Sequence, residues 1–208
     1  MTRSRKKKNT WADHYTHKAR KENFAARSVY KLQEIQKKYR LLSKGARILD
    51  LGCAPGSWLQ FAAQQAGPGG RVVGIDLTPV TISLPEQVTV LTGDVADLEG
   101  HLAELGQTRF DAVLSDMAPS TTGNRHVDQA RSLGLCEAAL YIAEHALVPG
   151  GNFVCKMFQS GDTQAFTEAV RKQFQRQAAL RPKSTRKTSR EVFVIGIGKI
   201  DKPSPMVA

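Results

Sequence analysis

The chain has 208 residues, 41% of them hydrophobic and 24% charged, with a formal net charge of +11. This length suits one well-buried core and leaves little room for a second full domain. The three cysteines form no paired motif, the basic N-terminus lacks the apolar core of a signal peptide and no apolar run matches a membrane span, so we expect a cytoplasmic protein with reduced thiols and no membrane partner.

The positive charge is concentrated in two segments. Residues 1–40 carry 13 Lys/Arg against 3 Asp/Glu, residues 171–190 carry 8 against none, and the remainder is net acidic. This asymmetry indicates a polyanionic partner, with nucleic acid the leading candidate. Residues 1–10 are basic without hydrophobic periodicity and are predicted to be a disordered arm, followed by a single domain at 11–200 and a tail at 201–208.

The predicted elements alternate along the chain. A helical pattern runs from Ala25 to Tyr39, with Ser28 as the alternative cap of a shorter helix. Residues 46–51 predict a buried strand that ends in a glycine turn and leads into a helix through Gln65. Further strands are predicted at 71–76, 88–91, 110–116 and 152–158, and further helices at 128–147, where 149–151 provides the stop signal, and at 163–174.

This alternation predicts βαβ units, and therefore an α/β, Rossmann-like fold with helices on both faces of a mostly parallel sheet. The pattern breaks after the helix at 163–174. Residues 178–182 and the last strand, at 191–198, follow each other without an intervening helix. They predict a hairpin, which gives a seven-stranded sheet with one antiparallel strand.

The glycine turn after the first strand is the first candidate site. Gly52 and Gly56 permit close backbone approach, and Pro55 suits the first turn of the helix that follows. The spacing is neither the G-x-G-x-x-G of dinucleotide enzymes nor a P-loop, which disfavours a nicotinamide dehydrogenase. Asp50 instead suits a cofactor that carries positive charge, and S-adenosylmethionine, with its sulfonium and amino groups, is such a cofactor.

Acidic residues also end the later strands. Asp76 stands 24 residues after Gly52, near the offset at which an acid accepts hydrogen bonds from ribose hydroxyls, and Asp94 is placed to accept from an adenine amino group. Asp116 ends the fourth strand. Any one of these acids would equally suit a turn or a helix cap, so their shared position at strand ends carries the prediction.

Three motifs together resemble a known family. Residues 50–58 (DLGCAPGSW), 115–119 (SDMAP) and 28–31 (SVYK) are similar to the FtsJ-like (RrmJ-type) S-adenosylmethionine-dependent RNA 2′-O-methyltransferases, and the resemblance extends from about residue 11 to residue 198. It implies the S-adenosylmethionine-dependent methyltransferase fold. No metal is expected, because His14 and His17 form an H-x-x-H pair without a third ligand at a helpful spacing. The cofactor-binding residues that it implies are Asp50, Gly52, Pro55, Gly56, Trp58, Asp76, Leu77, Asp94, Val95 and Asp116.

The same resemblance implies a catalytic tetrad of Lys31, Asp116, Lys156 and Glu191. A ribose 2′-hydroxyl is a weak acid, so methyl transfer to it needs in-line positioning. It also needs a group that accepts the hydroxyl proton or stabilises the charge that its loss leaves on the oxygen. Burial and the Lys31 ammonium would favour a neutral Lys156 that acts as a base. The two carboxylates would favour a charged Lys156 that stabilises the developing alkoxide, and the residues leave both roles open. Without the tetrad pattern, a lysine here would suit an edge strand.

The expected function is methyl transfer to a ribose 2′-hydroxyl of 23S ribosomal RNA, at a uridine, by a monomer that binds the large ribosomal subunit. The alternatives are a 2′-O-methyltransferase of tRNA or of the mRNA cap, and a non-catalytic RNA-binding ribosome assembly factor.

Overall fold

A computed structural model of the protein describes residues 10–201, with side chains from residue 14 onward. The predicted arm and tail therefore lie outside the described residues, except at their inner ends. Thr10, assigned to the arm, is the first residue of a helix.

The fold is a seven-stranded sheet with helices on both faces. The strands are β1 (Arg47–Leu51), β2 (Arg71–Asp76), β3 (Val88–Thr92), β4 (Phe110–Ser115), β5 (Leu147–Phe158), β6 (Phe174–Leu180) and β7 (Glu191–Lys199). The helices are α1 (Thr10–Lys21), α2 (Val29–Tyr39), α3 (Ser57–Ala66), α4 (Leu98–Glu104), α5 (Arg125–Ala146) and α6 (Thr163–Arg171), with a 3-10 turn at Val95–Asp97.

The strand order is β3-β2-β1-β4-β5-β7-β6. Strand β7 is antiparallel to both of its neighbours, β5 and β6, and the other pairs are parallel. The predicted fold class, a mostly parallel seven-stranded sheet with one antiparallel strand, is confirmed.

The two faces of the sheet carry separate hydrophobic clusters, because successive strand residues point to opposite sides. Ile48 and Val154 pack with α2 and α3 on one face. Leu49 and Phe153 pack with α4, α5 and α6 on the other. The strands in the middle of the sheet are thus covered on both sides, which explains their continuous apolar character.

The first helix of the predicted set is shorter than the pattern from Ala25 suggested, since α2 begins at Val29. Ser28 does not cap it with its side chain; its hydroxyl instead forms a hydrogen bond of 2.9 Å with the hydroxyl of Ser57 at the start of α3. The contact ties α2 to the helix that follows the glycine turn.

Three other boundaries differ from the predictions. Strand β5 begins at Leu147, ahead of the predicted stop at 149–151, because Leu147 pairs with Phe110 before the register shifts. Helix α6 ends at Arg171 and β6 begins at Phe174, since the Phe174 ring is buried and stacks on Phe153 at 5.9 Å. Helix α5 starts early, at Arg125.

The sequence patterns missed α1, α4 and the 3-10 turn. Among residues 10–201, no helix is both long and apolar enough to cross a bilayer.

Candidate active site

The predicted site residues converge on one edge of the sheet, which we call the carboxyl edge, where the parallel strands β1, β2, β4 and β5 end. Asp50 lies in β1, Asp76 ends β2, Asp116 directly follows β4 and Lys156 is near the end of β5. Open α/β sheets hold their ligands in the crevice beyond this edge.

The four residues of the predicted tetrad form one connected set of contacts. The Lys156 Nζ lies 3.0 Å from the Asp116 Oδ1, and it also donates a hydrogen bond to the Asp116 backbone carbonyl. The Lys31 Nζ lies 3.9 Å from the same Oδ1 and 2.8 Å from the Glu191 Oε1. Ammonium and carboxylate groups therefore alternate, in the order Lys156, Asp116, Lys31, Glu191.

The tetrad is largely removed from solvent. The side chains of Lys31, Asp116, Lys156 and Glu191 are 13%, 16%, 8% and 11% exposed. Lys156 lies in an interior strand, since β5 pairs with both β4 and β7, which rules out the edge-strand explanation for this lysine. Charges buried this far are retained only when they are paired, as these are.

Helix α2 is held in place from the cofactor side. The indole N–H of Trp58 donates to the Ser28 carbonyl at 2.9 Å, and its ring lies 5.9 Å from the ring of Phe193. The Phe193 ring in turn lies 5.7 Å from the Lys31 Nζ. Trp58 is only 2% exposed, so it packs beneath the crevice and connects the glycine turn to α2, the helix that carries Lys31.

Asp50 is the most unusual group at the carboxyl edge. It is fully buried, and neither carboxylate oxygen has a hydrogen-bond partner among the described residues. Burial, and then the carboxylates of Asp116 and Asp76, raise the pKa of Asp50 well above its usual range. A buried carboxylate without a partner is costly, so this position fits a ligand that brings a positive charge.

The two glycines of the turn are required by backbone conformation and by close packing within the protein. Gly52 has φ +76°, and a Cβ there would lie 2.6 Å from the Met117 Cγ; Gly56 has φ +106°. Both conformations favour glycine. Pro55 does not enter the helix as predicted, because α3 begins at Ser57 with Gly56 as its N-cap.

The predicted ribose and adenine residues lie along the neighbouring strands. The Asp76 carboxylate accepts hydrogen bonds from the Ala54 N–H at 2.9 Å and the Thr78 N–H at 2.8 Å, so it also stabilises the glycine turn. Leu77 is 72% exposed, an unusual position for a large apolar side chain. The Asp94 Oδ1 caps the 3-10 turn by accepting from Ala96 N–H at 3.0 Å, and its other oxygen remains available for a ligand.

The next residue in this row, Val95, is the first residue of the 3-10 turn and is partly buried. Together these residues, a carboxylate row beside exposed apolar surface, fit a nucleoside-bearing cation.

The sequence patterns missed one structural contributor to the site. Glu34, one turn after Lys31 on α2, accepts the backbone N–H groups of Lys183 at 2.7 Å and Ser184 at 2.9 Å. It therefore fixes the segment that leads to Glu191 against the helix that carries Lys31. Its signal in the sequence is that it is the only acidic residue between positions 23 and 49.

The cysteines take no visible part in this chemistry. All three are buried free thiols, and burial, with the nearby Asp50 and Asp76, raises the pKa of Cys53. Such a thiol is a packing group and a poor nucleophile. In the part of the chain that the structure describes, no cluster of His, Cys, Asp and Glu is arranged to hold a metal ion.

Comparison with known proteins identifies the family. Residues 24–199 match the family model described as FtsJ-like methyltransferase. The chain is 54% identical over 197 residues to Ribosomal RNA large subunit methyltransferase E of Desulforapulum autotrophicum, covering 95% of this chain and 97% of the relative. It is 51% identical to the protein of the same name from Syntrophobacter fumaroxidans, with 90% and 96% coverage.

Solved structures show the same fold. A Plasmodium falciparum protein that bears the name of a ribosomal RNA methyltransferase superimposes with a TM-score of 0.75 at 26% identity, over 86% of this chain and all of that one. Aeropyrum pernix fibrillarin, solved with natively bound S-adenosyl-L-methionine, gives a TM-score of 0.58 at 16% identity, over 76% of this chain and 68% of that one, and shares the fold. The extent of the family match and the identity to these relatives show that the chain belongs to the FtsJ-like methyltransferase family.

Proposed function

We propose that this chain transfers a methyl group from S-adenosylmethionine to a ribose 2′-hydroxyl of 23S ribosomal RNA, at a uridine of the large ribosomal subunit. The observation that carries the proposal is the tetrad at the carboxyl edge, in which three successive ammonium–carboxylate contacts of 2.8–3.9 Å connect Lys156, Asp116, Lys31 and Glu191. The relatives, which are named as methyltransferases of large-subunit ribosomal RNA, support ribosomal RNA as the substrate. The site is proposed to work in a cytoplasmic monomer.

The cofactor would be held by the row that begins at Asp50. S-adenosylmethionine supplies the electrophilic methyl group, and its positive charge gives the buried Asp50 carboxylate the partner that the protein itself does not provide. Gly52 and Gly56 allow the backbone to approach the ligand, and Asp76 and Asp94 are positioned as acceptors for hydroxyl and amino groups. Leu77 offers an apolar surface for a base.

The tetrad acts on the RNA hydroxyl. As the 2′-hydroxyl loses its proton to water, alkoxide character develops on the oxygen, and fixed ammonium groups in a water-poor site stabilise that negative charge until the oxygen has bonded to the methyl carbon. Asp116 holds Lys156 through its carboxylate and its carbonyl, and Glu191 holds Lys31 at 2.8 Å, so both ammonium groups are oriented before the substrate arrives.

The arrangement favours Lys156 as a positioned cation over Lys156 as a general base, since its ammonium donates to the Asp116 backbone carbonyl and lies 3.0 Å from the Asp116 carboxylate. Lys156→Ala is expected to bind S-adenosylmethionine normally and to transfer no methyl group. Lys156→Arg keeps the charge but cannot act as a base, so it is expected to retain measurable activity. An inactive Lys156→Arg that binds both substrates and keeps its thermal stability would favour the base.

The substrate class is tested by incubating the protein with methyl-labelled cofactor and, separately, with large ribosomal subunits, naked ribosomal RNA, tRNA and capped mRNA. Label is expected in the 2′-O-methyl nucleoside of large-subunit RNA. Label confined to tRNA or to the cap would contradict the proposed substrate, and RNA binding without label in any arm would indicate an assembly factor.

A further inference from the structure

A polar cleft lies beside the tetrad, on the side away from the glycine turn. It has a volume of about 680 Å³ and is bounded by the first turn of α5, the 159–162 turn after β5 and the 181–190 segment before β7. This volume falls within the range of about 300–1,000 Å³ that is typical of ligand sites. None of the proposed cofactor or catalytic residues lines it.

The cleft is continuous with the catalytic centre through two paired strands. Phe158, the last residue of β5, pairs with Glu191, and the next pair along is joined by the Gln159 N–H, which donates to the Arg190 carbonyl at 3.0 Å. The Gln129 side chain fixes α5 to the same turn by donating to the Gln159 carbonyl at 2.8 Å. The cleft therefore begins one residue, or about 3.4 Å of strand, beyond the catalytic glutamate.

The lining of the cleft is strongly basic. It contains Arg125, Arg181 and Arg190, and its one acidic side chain is Asp162. Arg181 has a structural role, since its guanidinium donates to the Ser189 carbonyl at 2.6 Å and braces the 181–190 segment. Within residues 10–201, the guanidinium groups of Arg125 and Arg190 form no ion pair or hydrogen bond with the protein, so their donors remain available to a ligand.

Two unpaired guanidinium groups in a cleft suit an oxyanion ligand, because each presents a planar set of donors that matches a phosphate. The position of the cleft beside the tetrad indicates which oxyanion it would bind. A strand of RNA whose target ribose lies at the tetrad must continue past Glu191, and the cleft is the space that it meets there.

We propose that this cleft binds the RNA phosphodiester next to the methylated nucleotide, with Arg125 and Arg190 as its anion contacts. The inference rests on the proposed function, because it takes the target ribose to lie at the tetrad. It adds a positioning role: by anchoring the backbone one step from Glu191, the cleft fixes which ribose faces Lys156. Phosphate contacts of this kind set the register of the strand without reading its bases.

The test compares Arg125→Gln/Arg190→Gln with a charge-matched control, Arg71→Gln/Arg109→Gln. The control arginines lie at the beginnings of β2 and β4, at the opposite edge of the sheet. Binding of large-subunit RNA is measured as a function of salt, and each lost phosphate contact is expected to reduce the slope of log K against log [salt] by about 0.7. The cleft variant should lose about 1.4 in slope relative to the control.

Kinetics provide a second readout. The KM for RNA should rise at least about tenfold in the cleft variant, with a much smaller change in kcat and an unchanged Kd for S-adenosylmethionine. A slope and a KM equal to those of the control would overturn the proposal. Arg125→Gln alone guards against a folding defect, because Arg125 lies in α5 and is distant from Glu191 in the chain. This single variant should show about half of the slope change of the double variant, at an unchanged Tm. A slope equal to that of the wild type would also overturn the proposal.

The outcome separates the cleft from the proposed function. If the wild-type protein transferred no methyl group to ribosomal RNA, the proposed function would fail, yet the salt slopes would still decide whether the cleft binds an RNA phosphate, because they require no catalysis.

Discussion

Replacing Asp50 with Asn should make the protein more stable and a weaker binder of its cofactor. Asp50 is fully buried and both of its oxygens lack a partner among the described residues. Asn has nearly the same shape but no charge. The substitution therefore removes the buried charge while leaving the packing of β1 in place.

The size of the effect follows from that environment. An unsatisfied buried polar group costs about 1–3 kcal/mol, and a charged one more. Asp50→Asn removes the part of this cost that comes from the charge. The free energy of unfolding of the ligand-free protein should therefore rise by about 1–3 kcal/mol at pH 8. For a chain of this length each kcal/mol corresponds to roughly 2–4 °C in Tm.

Cofactor binding should change in the opposite direction. A charge-assisted hydrogen bond contributes about 1.5–3 kcal/mol, so its loss should weaken S-adenosylmethionine binding about 10- to 100-fold. Because a ligand stabilises the folded state in proportion to its affinity, the rise in Tm on adding the cofactor should shrink in the same variant.

The effect should also depend on pH, with a defined sign. Burial raises the pKa of Asp50 in the folded state, so the folded protein binds its proton more tightly than the unfolded chain does. The stability of the wild type is unaffected by this group below the unfolded pKa, near 4, and falls as the pH rises from there through the folded pKa. The advantage of Asp50→Asn should therefore grow with pH over that window.

The assays are thermal unfolding between pH 4 and 8 and calorimetric titration with S-adenosylmethionine. Glu104→Gln, which removes one exposed carboxylate in α4, is the matched control and should change neither quantity. An Asp50→Asn variant with an unchanged or lower Tm at pH 8 and an unchanged Kd for the cofactor would refute the reasoning.

Three further predictions concern the surroundings of the site. Glu34→Gln removes one of the two carboxylate oxygens that accept backbone N–H groups of the segment before Glu191. The variant should have a several-fold lower kcat and a free energy of unfolding lower by about 1–2 kcal/mol, at an unchanged Kd for the cofactor. Gly52→Ala forces a Cβ to within 2.6 Å of Met117 at a positive φ, and should abolish cofactor binding in calorimetry while costing about 1–3 kcal/mol in chemical unfolding. Asp111→Asn should cost about 1 kcal/mol or less at pH 7, because its arginine partner lowers the pKa of Asp111; that difference from wild type should disappear in unfolding measurements as the pH falls below about 4.

The sheet and its carboxyl edge could be predicted because each strand carries its own signal. The apolar run before Asp50 and the acid that ends β2 are local patterns, and the alternation of strands and helices makes them parallel neighbours. The proximity of Asp116 and Lys156 follows from this, since they lie at the ends of adjacent strands, β4 and β5, but their roles came from the resemblance to the family.

The remaining contacts depend on tertiary structure that no local pattern contains. Lys31 and Glu191 are separated by 160 residues, and only the insertion of β7 between β5 and β6 brings their charged atoms to 2.8 Å. The start of β6 at Phe174 was missed for the same reason. The helical sequence pattern includes Phe174, and only the tertiary packing of its ring against Phe153 assigns the residue to the strand. The absence of a hydrogen-bond partner for the Asp50 carboxylate, among the described residues, likewise depends on the tertiary packing around it.

The insertion of β7 has a consequence for synthesis. A growing chain that has reached residue 190 already contains Lys31, Asp116 and Lys156, but β5 is still an unpaired edge and the last carboxylate is missing. Under the proposed function, the tetrad of a nascent chain would stay incomplete until β7 had emerged and paired with β5, so such a chain could not yet modify the RNA of the ribosome that is translating it.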